Sequence, residues 1–120
     1  MAALTKVKLC QLDDLMPFIG ATVLIEGEHV ALFYIPDSGV YAVQDWDPIG
    51  KAYVMSRGIV GDIDGEMCVA SPLYKQHFSL KSGQCLEDEA HCLKTWQVTV
   101  DDNQVCYLVE ECSSKLACSI

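Results

Sequence analysis

The sequence predicts an all-β domain, a small β sandwich or partly open barrel, and three observations lead there. Short apolar runs alternate with turn signals at strand-like spacing. Helical periodicity is hard to find. The 120 residues, 51% hydrophobic and 21% charged, suit one compact core that needs neither metal nor disulfide. Residues 1–111 are expected to form this domain and 112–120 a tail without pattern.

Taken in order, Leu12 to Met16 offers a single helical turn at most. ATVLIEG and HVALFYI read as strands, the second closed by Pro36-Asp37-Ser38-Gly39, and VYAVQ follows as another. GIVGDI and EMCVAS flank Asp64-Gly65, a two-residue hairpin signal. Such a turn needs positive φ at both central positions, which Asp and Gly tolerate. HFSL runs into Lys81-Ser82-Gly83-Gln84, a further hairpin-like turn. LKTWQVTV and QVCYLVEE alternate apolar and polar residues around Asp101-Asp102-Asn103 and predict the half-buried antiparallel pair that closes the sheet. QDWDPIGKAYVMSR and SPLYKQ, each with an early Pro, are expected to be loops, and loops on a rigid scaffold are where binding resides.

Seventeen acidic residues against eight basic ones give a formal net charge of −9, which argues against nucleic acid and anionic membranes as partners. No segment approaches the ~18 apolar residues of a membrane span, and MAALTKVKLCQLDDLM lacks the apolar stretch of a signal peptide. A cytoplasmic location is expected. Cys10, Cys68, Cys85, Cys92, Cys106, Cys112 and Cys118 are odd in number and form no CxxC pair, so they read as reduced thiols.

The strand VYAVQ, the Pro-containing loop after it, the GIVGDIDGEMCVASPLY hairpin and the FSLKSGQC exit together resemble the Rieske-type iron–sulfur domain, over roughly Val40 to Glu110. Such domains hold a [2Fe-2S] cluster by one Cys and one His from each of two loops. Here Asp47-Pro48-Ile49 stands where Cys-Pro-His is expected, and Ser71-Pro72-Leu73-Tyr74 where Cys-Pro-Leu-His is expected. Ile49 has no donor atom, and Ser and Tyr oxygens are poor substitutes for thiolate and imidazole on iron. With DP, SRGIV and VASPLYKQHF retained, this loss of all four ligands resembles the small subunits of cytoplasmic NAD(P)H-dependent nitrite reductases. The resemblance implies an accessory chain without a cofactor of its own. Its partner would be a large subunit bearing FAD, sirohaem and an iron–sulfur cluster, which passes electrons from NAD(P)H to nitrite and yields ammonium.

Trp46, Arg57, Tyr74 and Lys75 are the expected partner-binding residues, because aromatic and Arg side chains dominate interfaces. Ile49 and Tyr53 are expected to pack inward and fill the space a cluster would take. A rival reading is a small redox or metal-binding protein whose nonstandard site draws on His77, Cys85, His91 and Cys92, three of which fall within CLEDEAHC. The bland alternative is that this segment is a solvent-facing acidic loop with incidental thiols and that His77 is an ordinary hydrogen-bonded histidine. Cys68 and Cys106 read as small core residues. A Cys–His nucleophile pair would need an oxyanion site that no motif signals, and neither a phosphate loop nor a nucleophile elbow is present. No catalytic residue is expected in this chain.

Overall fold

The computed structural model describes residues 3–73 and 75–111; Tyr74 and the expected tail lie outside them. Twelve strands follow in the order β1 (Ala3–Gln11), β2 (Ala21–Ile25), β3 (Glu28–Ile35), β4 (Gly39–Gln44), β5 (Trp46–Asp47), β6 (Ala52–Tyr53), β7 (Ile59–Ile63), β8 (Glu66–Ala70), β9 (His77–Ser79), β10 (Thr95–Trp96), β11 (Val98–Asp101) and β12 (Gln104–Glu111). Two single 3₁₀ turns, Leu12–Asp14 and Met55–Arg57, are the helical elements among the described residues.

The most apolar run of the sequence builds the centre. Successive side chains of a strand point to opposite faces, so a strand covered on both sides must be apolar throughout. In β3, Ala31, Phe33 and Ile35 pack with Val69 of β8 and Phe78 of β9. Val30 and Leu32, on the other face, pack with Val105 and Tyr107 of β12. The sheet β10-β4-β3-β2 thus lies between β7-β8-β9 and β1-β12-β11, a layered sandwich and not a closed barrel. Phe33 and Phe78 are fully buried, and truncating either to Ala would cost ~3–5 kcal/mol.

All strand pairs are antiparallel. Three are joined by two-residue turns with positive φ at both central residues: Glu26-Gly27, Asp64-Gly65 and Asp102-Asn103. This backbone matches the twist of the flanking strands. No helix of the described residues is long and apolar enough to cross a membrane.

Two sequence expectations are corrected and one strand is added. QDWDPIGKAYVMSR is not irregular throughout, since β5 and β6 form a small hairpin inside it and Met55 enters the core with no exposure. LKTWQVTV is not one strand: Gln97 divides it, and β10 pairs with β4 while β11 pairs with β12. Ala3–Gln11, unassigned from sequence, is a nine-residue strand paired with β12.

Candidate loop interface at the former ligand positions

Two buried aspartates organise the first loop. The Asp45 carboxylate accepts a 2.7 Å hydrogen bond from the Ser56 backbone N–H, and its carbonyl accepts from the Val54 and Met55 N–H groups at 3.0 Å each. Asp47, 1% exposed, accepts at Oδ1 from the N–H groups of Ile49 (2.8 Å) and Gly50 (3.0 Å), closing an Asx-type turn over Pro48. The Lys51 N–H donates to the Asp47 carbonyl at 2.7 Å. This tight turn makes β5 and β6 neighbours and sets Trp46 opposite Tyr53.

The second loop leaves β8 at Ser71, also 1% exposed. Its backbone is held by Lys75 N–H to the Ser71 carbonyl (2.9 Å) and by Ser71 N–H to the Gln76 carbonyl (3.0 Å). The Ser71 hydroxyl accepts from the Leu73 N–H at 3.3 Å and donates to Asp47 Oδ2. The two loops also touch through Leu73 and Gly50: a Cβ on Gly50 would come within 2.4 Å of the Leu73 side chain and 2.9 Å of the Asp47 carboxylate, so a larger residue there would require Leu73 to shift.

Asp47 and Ser71, standing where the two cysteines of a Rieske site are expected, therefore meet directly. Their chemistry does not suit a [2Fe-2S] cluster. One carboxylate takes three hydrogen bonds from the protein, its partner is a neutral hydroxyl, and Ile49 offers only carbon, whereas such a cluster needs thiolates and imidazoles. The fourth position, Tyr74, lies outside the described residues.

Among the expected interface residues, Trp46, Arg57 and Lys75 are exposed, while Tyr74 falls outside the description. Ile49 is partly buried against the core, as expected. Tyr53 corrects its expectation. It is 55% exposed, with its ring centroid 4.9 Å from that of Trp46 in an edge arrangement and 4.6 Å from that of His29. The hairpin explains this, because cross-strand partners project from the same face. His29, Ile59 (77% exposed) and Leu73 also join this end of the molecule and were not singled out in the sequence. The Asp-Pro-x-Gly turn was the available signal for the Trp46–Tyr53 pairing.

The rival set does not assemble. His77 Nδ1 lies 2.7 Å from Glu87, His91 Nε2 lies 3.5 Å from Asp88, and the exposed Cys92 thiol approaches the Ser82 and Leu93 carbonyls. Among the described residues no three His, Cys, Asp or Glu side chains converge as a metal would require. Cys85 corrects the picture of incidental thiols, since it is 1% exposed and part of the core. Cys68 and Cys106 are buried as expected. Burial, followed by the carboxylates of Glu66, Asp62 and Glu87, pushes the Cys68 thiol up to about 11, so it is protonated and unreactive near neutral pH.

A sequence profile of the Rieske-like [2Fe-2S] domain matches residues 5–107, which agrees with the layered sandwich and the paired loops. The class is therefore a Rieske-like domain. Within it, the chain is 42% identical over 99 residues to the NADH nitrite reductase small subunit of Salmonella typhimurium, covering 81% of this chain and 91% of that protein. It is 96% identical, with a TM-score of 0.87, to a crystal structure described as a nitrite reductase NADPH small subunit, covering 88% of this chain and 99% of that one. The chain belongs to the nitrite reductase small-subunit family. It is also 35% identical over 97 residues to a stretch of the NAD(P)H nitrite reductase large subunit of Klebsiella oxytoca, covering 81% of this chain and 10% of that protein.

Proposed function

We propose that this chain is the non-catalytic small subunit of a cytoplasmic, assimilatory-type NAD(P)H-dependent nitrite reductase, which reduces nitrite to ammonium. It binds and supports a large subunit that carries the FAD, sirohaem and iron–sulfur cluster. The observation that carries this reading, beside membership of the small-subunit family, is the Asp47–Ser71 hydrogen bond between the loops. Residues that would otherwise hold a redox centre hold the two loops to each other. The loop end is left with exposed aromatic and cationic side chains suited to a protein partner. The matching stretch in the Klebsiella oxytoca large subunit supports association with a large subunit, because there the same kind of domain is covalently part of it.

The proposed docking surface comprises Trp46, Arg57 and Lys75, with Tyr74 assigned from sequence and Tyr53 added from the hairpin. Truncating a central aromatic anchor typically costs ~2 kcal/mol or more of binding, roughly thirtyfold in affinity. Trp46→Ala is expected to weaken co-purification with the large subunit by that order while the chain stays folded by circular dichroism. Glu87→Ala, on the acidic segment, is expected to leave binding unchanged. The pure chain is expected to oxidise no NAD(P)H and reduce no nitrite. Near-stoichiometric iron with visible absorption after anaerobic purification would overturn the accessory reading.

A further inference from the structure

Beside the second loop lies a cleft of about 460 Å³, formed where β7 and β8 run out toward Arg57 and Ser71. Ala70, Ile59 and Pro72 supply apolar surface, Ile59 and Ala70 being direct cross-strand partners. Arg57 and Lys75 line the same cleft, and none of its lining residues is acidic. This is an unusual local balance for a chain of net charge −9. Lys6 and Lys94 are neutralised by Asp101 and Glu28 at 2.6 Å each, whereas Arg57 and Lys75, like Lys8, Lys51 and Lys81, have no ion-pair partner among the described residues; what sets Arg57 and Lys75 apart is that they share one cleft with exposed apolar surface. The remaining basic group of the cleft, His77, already has its ring against Glu87.

Apolar surface as exposed as Ile59 gains by being covered, and two uncompensated cations flanking it gain by meeting carboxylates. The cleft also adjoins the proposed docking end, through Ser71 bonded to Asp47 and Leu73 packed on Gly50. We infer that this cleft receives an acidic segment of the large subunit, which lays an apolar side chain over Ile59 and Pro72 and presents carboxylates to Arg57 and Lys75. This rests on the small-subunit reading above and adds the chemistry of the partner segment. The overall charge of the chain would repel an acidic partner, so the cleft makes the approach orientation-specific.

The test measures affinity of purified chain for the large subunit of the same organism across a salt series. The variants are Arg57→Glu, Lys75→Glu, Ile59→Ser, Trp46→Ala and the control Lys81→Glu, each checked for an unchanged thermal transition. Lys81 is exposed, lies outside the cleft and suffers the same change of charge. Arg57→Glu and Lys75→Glu are each expected to weaken binding about tenfold or more at low salt and to flatten its salt dependence. Ile59→Ser is expected to weaken binding without altering the salt slope, and Lys81→Glu to stay within about twofold of wild type. If both cleft reversals bind as Lys81→Glu does while Trp46→Ala binds weakly, the cleft assignment is wrong and the docking end stands. If Trp46→Ala and the reversals all bind normally, docking lies elsewhere on the chain, and absence of wild-type binding overturns the subunit reading itself.

Discussion

Asp47 and Ser71 meet in the space between two loops, whereas the side chains of His77, Cys85, His91 and Cys92, a little further along the chain, do not converge as metal ligands would. The first pair has the convergence of a metal centre and the wrong elements. Carboxylate and hydroxyl oxygens here satisfy backbone and side-chain donors. The second group has the right elements, two thiols and two imidazoles, but each imidazole faces a carboxylate, one thiol is in the core and the other is at the surface. Metal binding requires both properties in one place. Donor identity can be read from sequence, but convergence is created by the fold.

The strongest way to break this contrast is to remove the carboxylate that joins the loops. Asp47→Ala would leave the Ile49 and Gly50 N–H groups and the Ser71 hydroxyl without their acceptor in a buried setting, at a cost of ~3 kcal/mol in urea unfolding. Asp47→Asn keeps an acceptor oxygen and should lose less. An Asp47→Ala variant as stable as the wild type would show that the loops are held by packing alone.

A smaller effect sharpens the other side. Cys85→Ser places a hydroxyl in the core and is expected to cost ~1–3 kcal/mol, whereas Cys92→Ser at the surface should stay within ~0.5 kcal/mol. Alkylation of the folded chain should label Cys92 far faster than Cys85. Equal losses of stability in the two variants, abolished by chelator, would mean that both thiols serve one metal.

The smallest expected effect lies at Glu87. Burial raises the carboxyl's pKa, but the hydrogen bonds from the His77 backbone and ring, with the charge of the ring, outweigh it and hold Glu87 below its ordinary 4.5. A depressed carboxyl contributes stability above its unfolded pKa, and that contribution is lost as pH falls through the lower folded value. Glu87→Gln should therefore flatten the acid limb of the stability profile below about pH 4.5, by under ~1 kcal/mol because the pair is half-exposed. Unfolding midpoints between pH 6 and pH 3 would reveal it, and identical acid limbs would show that the contact is idle.

The legible parts of the sequence are those whose pattern is local. HVALFYI, the hairpin about Asp64-Gly65 and the terminal pair around Asp102 stand where expected, because alternation and turn chemistry act over a few residues. β1 was not legible. Lys6, Val7 and Lys8 are all exposed, so it presents little buried alternation, and its partner is about a hundred residues away. LKTWQVTV misled for a related reason: alternation tells which face a residue takes, not which strand it joins. Asp47 and Ser71 could be identified as changed ligand positions, but that one now donates to the other depends on how the loops are brought together. Tyr53 is expected inward as filler for the space a cluster would take, but the turn at Pro48 decides its side and sets it beside Trp46.

β1 is synthesised about a hundred residues ahead of β12, its only ladder partner among the described residues, with Ala3 eventually meeting Glu111 and Gln11 meeting Gln104. At ribosomal speeds of ~5–20 residues per second that gap lasts about 5–20 s. Throughout it Ala3–Gln11 is a strand without a ladder, open to pairing with another chain. Lys6 and Lys8 lie on this segment, and charges so placed discourage edge-to-edge association. The loops, made from residues 45–75, can close well before β12 emerges. Birth order thus leaves the sheet that joins the two ends of the described chain as the last to be completed.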